Sequence, residues 1–157
     1  VGPSGRSLAV VAVAALLCGC GSYTKADFIA RADAICASAV RKARTVAPPS
    51  SGDSAAQRRS ALAGYLAAVL PIVRSESSSL LDLRLPTQKP GQRAALAGYL
   101  RALTAAVGEY RELAAAAKRG DGAGVTSAEA ALRVSKVGAD AASYGLRSCA
   151  TPGATVG

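Results

Sequence analysis

Four cysteines and no histidine bound the chemistry open to this chain of 157 residues. Without imidazole, acid–base work would fall to carboxylates or lysine. Glu109 and Glu112 are helical neighbours interleaved with Arg111 and read as a solvated face, while Asp27 and Asp33 read as capping and surface residues. A Glu-x-x-His pair for a di-metal site is missing, as are a glycine-rich phosphate loop and a serine nucleophile elbow. The stretch "RGDGAG", 119–124, reads as a turn between helices, and its Arg119-Gly120-Asp121 tripeptide is too short to count as an integrin-type signal. No catalytic residue, cofactor or metal ligand is therefore expected, and the chemistry that remains belongs to sulfur.

Three of the cysteines fall within "ALLCGCGSYTKADFIARADAIC", residues 15–36. Upstream, Arg6 precedes the apolar run "LAVVAVAALL", Leu8 to Leu17. That run is about half of what crosses a bilayer, and a basic start with a short apolar core reads as a secretory signal peptide. Its end resembles the bacterial lipobox, with Leu17 three before, Gly19 directly before and Cys20 after the cut. Cys18 fits badly, because Ala15 and bulky Leu17 would hold those places. The expectation is a signal peptide over 1–19 and a diacylglyceryl anchor on Cys20; an ordinary secretory signal with two incidental cysteines is the alternative. Two or three acyl chains hold firmly where one does not.

Cys36 and Cys149 then remain, an even number on an oxidising route, and one disulfide is the default. A metal pair or a redox site is the alternative reading. Two thiolates without histidine make a poor zinc set, and a Cys-x-x-Cys spacing is missing.

Half of the residues are hydrophobic, yet only 4% are aromatic. An Ala-, Leu- and Val-built core of that kind implies close-packed helices. Thr24 with Asp27 reads as a capping box, followed by Ile29, Ala32, Cys36, Ala39, Ala43 and Val46 on one helical face. Leu62, Tyr65, Leu66, Val69, Val73 and Leu80 form the inward side of a second helix, in which Pro71 predicts a kink or break. Leu96, Leu100, Leu103, Val107, Tyr110, Ala114 and Ala117 keep a four-three alternation in a third. Val125, Ala128, Leu132, Ser135, Ala139, Ala142, Leu146 and Cys149 do so in a fourth.

The predicted fold is all-α, an antiparallel up-down four-helix bundle over 25–150, with helices at about 25–47, 54–84, 91–118 and 123–149. A tether, 20–24, precedes it and a flexible tail, 151–157, follows. First and last helices are then antiparallel neighbours, which suits a Cys36–Cys149 bridge. Cys36 lies about three turns into its helix and Cys149 at the end of its own, so the first helix must project or the tail must fold back. "ALAGYL" recurs at 61–66 and 95–100, an old hairpin duplication or coincidence on Ala-rich helices. Tyr65 and Tyr99 read as interface residues, with a pocket for an apolar ligand as the alternative.

The net charge is +9 and becomes +8 once Arg6 leaves with the signal peptide. The basic residues are scattered, with no arginine-rich run or stacking aromatics beside them, so nucleic acid is not an expected partner. The tether reaches roughly 14 Å, which would hold Lys25 and Arg31 near anionic lipid headgroups at about 1 kcal/mol per basic residue.

"ADAIC", Ala32 to Cys36, and "YGLRSC", Tyr144 to Cys149, carry a resemblance to a family of small uncharacterised lipoproteins of high-GC Gram-positive bacteria. The likeness covers the mature chain and implies a helical bundle in the cell envelope; it brings no activity, ligand or catalytic residue. The functional expectation is a non-enzymatic interaction or ligand-binding module, lipid-anchored on the extracytoplasmic face of the membrane, with an unknown envelope protein or apolar ligand as partner. A carrier of an apolar small molecule or lipid, with the bundle opening near Pro71, is one alternative; a purely structural envelope component is another.

Overall fold

The computed structural model describes residues 22–50 and 54–151. Cys18, Cys20, the signal segment and most of the expected tail lie outside the described residues. The described chain is all-helical: α1 (Lys25–Ala43), α2 (Ala55–Leu81), α3 (Pro90–Arg119), α4 (Gly122–Arg133) and α5 (Val137–Tyr144). None of the described helices is long and apolar enough to cross a membrane.

Local chemistry explains most of the boundaries. The Thr24 amide donates to Asp27 Oδ2 at 2.8 Å, and the Asp27 amide donates back to Thr24 Oγ1 at 3.2 Å. This is the capping box expected from the sequence, and such a cap contributes about 1 kcal/mol. The Thr24 hydroxyl also donates to Asp27 Oδ2, at 2.6 Å, and this bond together with that from the Thr24 amide holds the Asp27 carboxyl below its ordinary range. Ser54 and Gln57 form a second reciprocal box at the start of α2. Pro90 opens α3 at its first turn, where its missing amide costs nothing. Gly120, at φ +70°, ends α3 in the left-handed conformation that glycine adopts without a Cβ penalty. Asp121 immediately caps α4 by accepting from the Gly124 amide at 2.9 Å.

Pro71 lies inside α2, and of the kink or break expected there the break does not occur. Both Pro71 and Ala67, whose carbonyl loses its amide donor, are on the exposed side. Water can therefore satisfy the freed acceptor.

α3 is the hub, packed against α2, α4 and α5, while α1 packs against α2. Two apolar clusters are stacked along it. One joins Phe28, Ala32 and Cys36 of α1 to Leu80, Leu96, Tyr99, Ala141, Tyr144 and Leu146. The other joins Leu66, Val69 and Val73 of α2 to Val107, Tyr110, Leu113 and Ala128. The chain passes between these two levels in alternating directions, so the up-down order holds once α4 and α5 are counted together.

The expected single fourth helix is where sequence and structure part. It stops at Arg133, resumes at Val137 and ends at Tyr144, rather than running to 149. Val134 is 77% exposed, and Ser135, Ala139 and Ala142, expected on the inward seam, are exposed too. Ala141 and Tyr144 are buried instead. The β-branched Val134 and Val137 beside Ser135 and Gly138 propagate a helix poorly, and Ser135 Oγ accepts from the Val137 amide at 3.4 Å, closing a local turn. Restarting the helix out of register lets Tyr144 reach Phe28. Their rings meet edge to face with centroids 5.7 Å apart.

Candidate functional site

Past Tyr144 the chain reverses at Gly145, φ +104°, and lies across α1. Asp33 receives it there. Its Oδ1 accepts from the Arg147 amide at 2.9 Å and from the Ser148 amide at 2.8 Å. Cys149 is thereby brought to Cys36, and the two are joined by a disulfide with Cα atoms 5.1 Å apart. The geometric problem of a mid-helix cysteine pairing with a terminal one is thus solved by shortening the last helix and folding residues 145–151 back. Asp33, a surface candidate by sequence, is a receptor for backbone amides. Asp33→Ala is expected to cost about 1–2 kcal/mol, with Asp33→Asn losing less, as read by urea denaturation.

The break between α4 and α5, together with the folded-back segment, leaves space inside the bundle. A cavity of about 660 Å³ lies between α2 and α3 on one side and residues 129–139 and 148–151 on the other. Leu103, Val107, Leu113, Leu132 and Val137 supply apolar walls. Ser148 to Thr151, the segment tied down by the disulfide, form part of the enclosure. Pro71, near which an opening was expected, is not part of the lining; the gap at 133–137 is. The helix break that spoiled the four-three pattern also creates the interior volume.

Two acidic residues, Glu76 and Glu129, are in the lining. Glu76 lines the cavity with Tyr99 and Tyr110, and it makes no hydrogen bond or ion pair with any described residue. Burial pushes its carboxyl up to about 7, because the charged form loses hydration without gaining a partner. Burial, then the charges of Glu76 and Asp33, raises the Tyr99 hydroxyl above the ordinary phenol range. Tyr110 is pushed up to about 12 by burial, with Tyr65 and Glu76 adding to it. Sequence reasoning passed over Glu76, although the signal was present. It sits between Val73 and Leu80 at the three-four spacing of the inward stripe, where a carboxylate is costly.

A pH dependence follows from this group. With a folded value near 7 and an ordinary value of 4.5, the folded state binds the proton more tightly. Stability should fall as pH rises from about 4.5 through 7 and then level off. Glu76→Gln is expected to flatten that window and to raise stability at pH 8, on the order of 2 kcal/mol after allowance for partial solvent access. Urea melts of both proteins between pH 4 and 9 measure it.

The remaining candidates lie outside the cavity lining. Glu109 is half-buried and Glu112 exposed, Arg119 and Asp121 form an exposed ion pair at 3.8 Å, and Tyr65 is half-buried against the second cluster. Among the described residues no group of three His, Cys, Asp or Glu side chains is placed to hold a metal ion. At the end of the bundle where α1 begins, Lys25 Nζ lies 4.5 Å from the Tyr144 ring centroid. The Arg31 and Arg84 guanidinium groups lie 5.5 and 5.8 Å from that of Tyr23. No protein-family model, curated protein or solved structure matches the chain.

Proposed function

We propose that the protein is a lipid-anchored, extracytoplasmic module that binds a small apolar molecule in the interior of its helical bundle. The observation that carries this reading is the cavity of about 660 Å³, which is of drug-sized-ligand volume and combines apolar walls with a few polar groups. The disulfide supports it by tying residues 148–151 over one side of that space. Anchoring rests on the Leu17-Cys18-Gly19-Cys20 pattern, and the exposed Arg31 and Arg84, on the end of the bundle where α1 begins, suit an anionic headgroup layer. The role is binding, and no catalytic residue is proposed.

The reading predicts saturable fluorescence enhancement of the apolar probe N-phenyl-1-naphthylamine. Ala106, half-buried in the lining, offers a blocking position: Ala106→Phe should lower probe affinity at least tenfold while leaving the urea midpoint nearly unchanged. Equal binding by both proteins would remove the cavity from consideration. Mass spectrometry of the membrane-extracted protein tests the anchor separately, the expected result being an N-terminal acylated Cys20.

A further inference from the structure

Charge inside the cavity is opposite in sign to charge on the chain as a whole. The protein carries +9 formally, yet its lining holds two carboxylates, Glu76 and Glu129, against one cation, Arg133. Glu129 and Arg133 are four residues apart on α4, within reach of one another on a helix, but they form no ion pair within 4 Å. Arg133 is exposed, and Glu129 and Glu76 are both half-buried. Glu76 stands on α2 between Val73 of one apolar cluster and Leu80 of the other, and shares the lining with Tyr99 and Tyr110.

That arrangement discriminates among apolar ligands. A fatty acid would set its carboxylate against Glu76 and Glu129. A neutral chain would cover Glu76 and make it take up a proton, which is costly above its titration near 7. A cation would complete the site, since a carboxylate and tyrosine faces together favour ammonium groups. We propose that the cavity takes a single-chain amphiphile bearing one positive charge, its apolar body among Leu103, Val107 and Leu132 and its ammonium against the Glu76 carboxylate. This rests on the ligand-binding reading above and narrows it to a chemical class. A zwitterionic aminolipid would bring a phosphate toward the two carboxylates, so a free hydrophobic amine is the favoured source.

The titratable or charged lining groups besides Glu76 are Tyr99 and Tyr110 from α3 and Glu129 and Arg133 from α4. Val40 of α1, the α5 residues and the disulfide-tied segment contribute none. A change in cation affinity near neutrality therefore reports Glu76.

The test uses the full chain in phosphatidylcholine nanodiscs, with Ala106→Phe in the same discs to subtract partition into lipid. Octyltrimethylammonium, octanol and octanoate compete against N-phenyl-1-naphthylamine at pH 5.5 and 8.5. The ammonium is permanently charged, so its pH dependence comes from the protein. At pH 8.5 it should displace the probe at about tenfold lower concentration than octanol, with octanoate weakest, and at pH 5.5 the preference should vanish. Glu76→Gln should bring ammonium and alcohol together at both pH values. The pH series on the native chain stands alone should that variant fold poorly. Octanol binding as well as the ammonium at pH 8.5, or a preference that survives Glu76→Gln, would overturn the proposal while leaving the ligand cavity intact. Failure of the probe itself to bind would instead remove the cavity reading. Lysophosphatidylethanolamine should compete no better than octanol; competition matching the free ammonium would overturn the choice of source.

Discussion

Cys149→Ser is expected to lower stability by about 4–5 kcal/mol, the chain-entropy value for a loop of this size. The bridge closes a loop spanning 113 positions, and without it the unfolded chain regains the freedom to separate its ends. The expected fall in melting temperature is on the order of 10 °C. Cys36→Ser should match it, and the double variant should be no worse than either single one, because all three remove one constraint. The bridge also has a local consequence. Residues 148–151 line the cavity, and after its loss they are held by the two amide bonds to Asp33. Probe binding should therefore disappear at temperatures where circular dichroism still reports full helix content. Parallel melts followed by ellipticity and by N-phenyl-1-naphthylamine fluorescence, with and without reductant, check this. Coincident transitions would separate the disulfide from the cavity.

Phe28→Ala should cost about 3–5 kcal/mol, the usual range for truncating a buried aromatic. Phe28 is fully buried, stacked edge to face on Tyr144 and surrounded by α1, α2, α3 and α5 residues of one cluster. Its removal leaves a hole where four segments meet, and none of them can move in without giving up contacts elsewhere. Phe28→Leu should lose markedly less, since volume is partly restored. Tyr144→Phe isolates the polar component. It keeps the ring against Phe28 and under Lys25 and loses only the hydroxyl's hydrogen bond to Gln88 Oε1, 3.0 Å long, for about 1 kcal/mol. Urea midpoints at constant slope would give the ranking; a Phe28→Ala loss under 1 kcal/mol would show that the cluster repacks.

Phe28 also illustrates the grain at which the sequence is legible. The spacing put Ile29 on the inward face, but Ile29 is half-buried and Phe28 wholly so. Adjacent residues straddle the edge of a helical stripe, about 100° wide, and periodicity cannot choose between them. The choice was made by Tyr144, 116 positions away, whose ring needed a partner. The "ALAGYL" pair makes the same point. In the first copy Leu66 is buried and Tyr65 half-buried; in the second Tyr99 and Leu96 are buried and Leu100 half-buried. Identical local sequences present different sides because α3 is covered by three helices and α2 by two.

By itself, the sequence determined the helical class, the Thr24–Asp27 cap, the turn at Gly120 and Asp121, and the pairing of Cys36 with Cys149. These follow from interactions within one or two turns or, for the pairing, from setting Cys18 and Cys20 aside as signal and anchor residues, which leaves two of the four cysteines. Only the tertiary structure decided that the last helix breaks at Val134, that residues 145–151 fold back onto Asp33, and that Glu76 lines an interior cavity. Each of those depends on groups distant in the chain competing for the same space, and the physical reason is that backbone hydrogen bonding is local whereas the filling of volume is not.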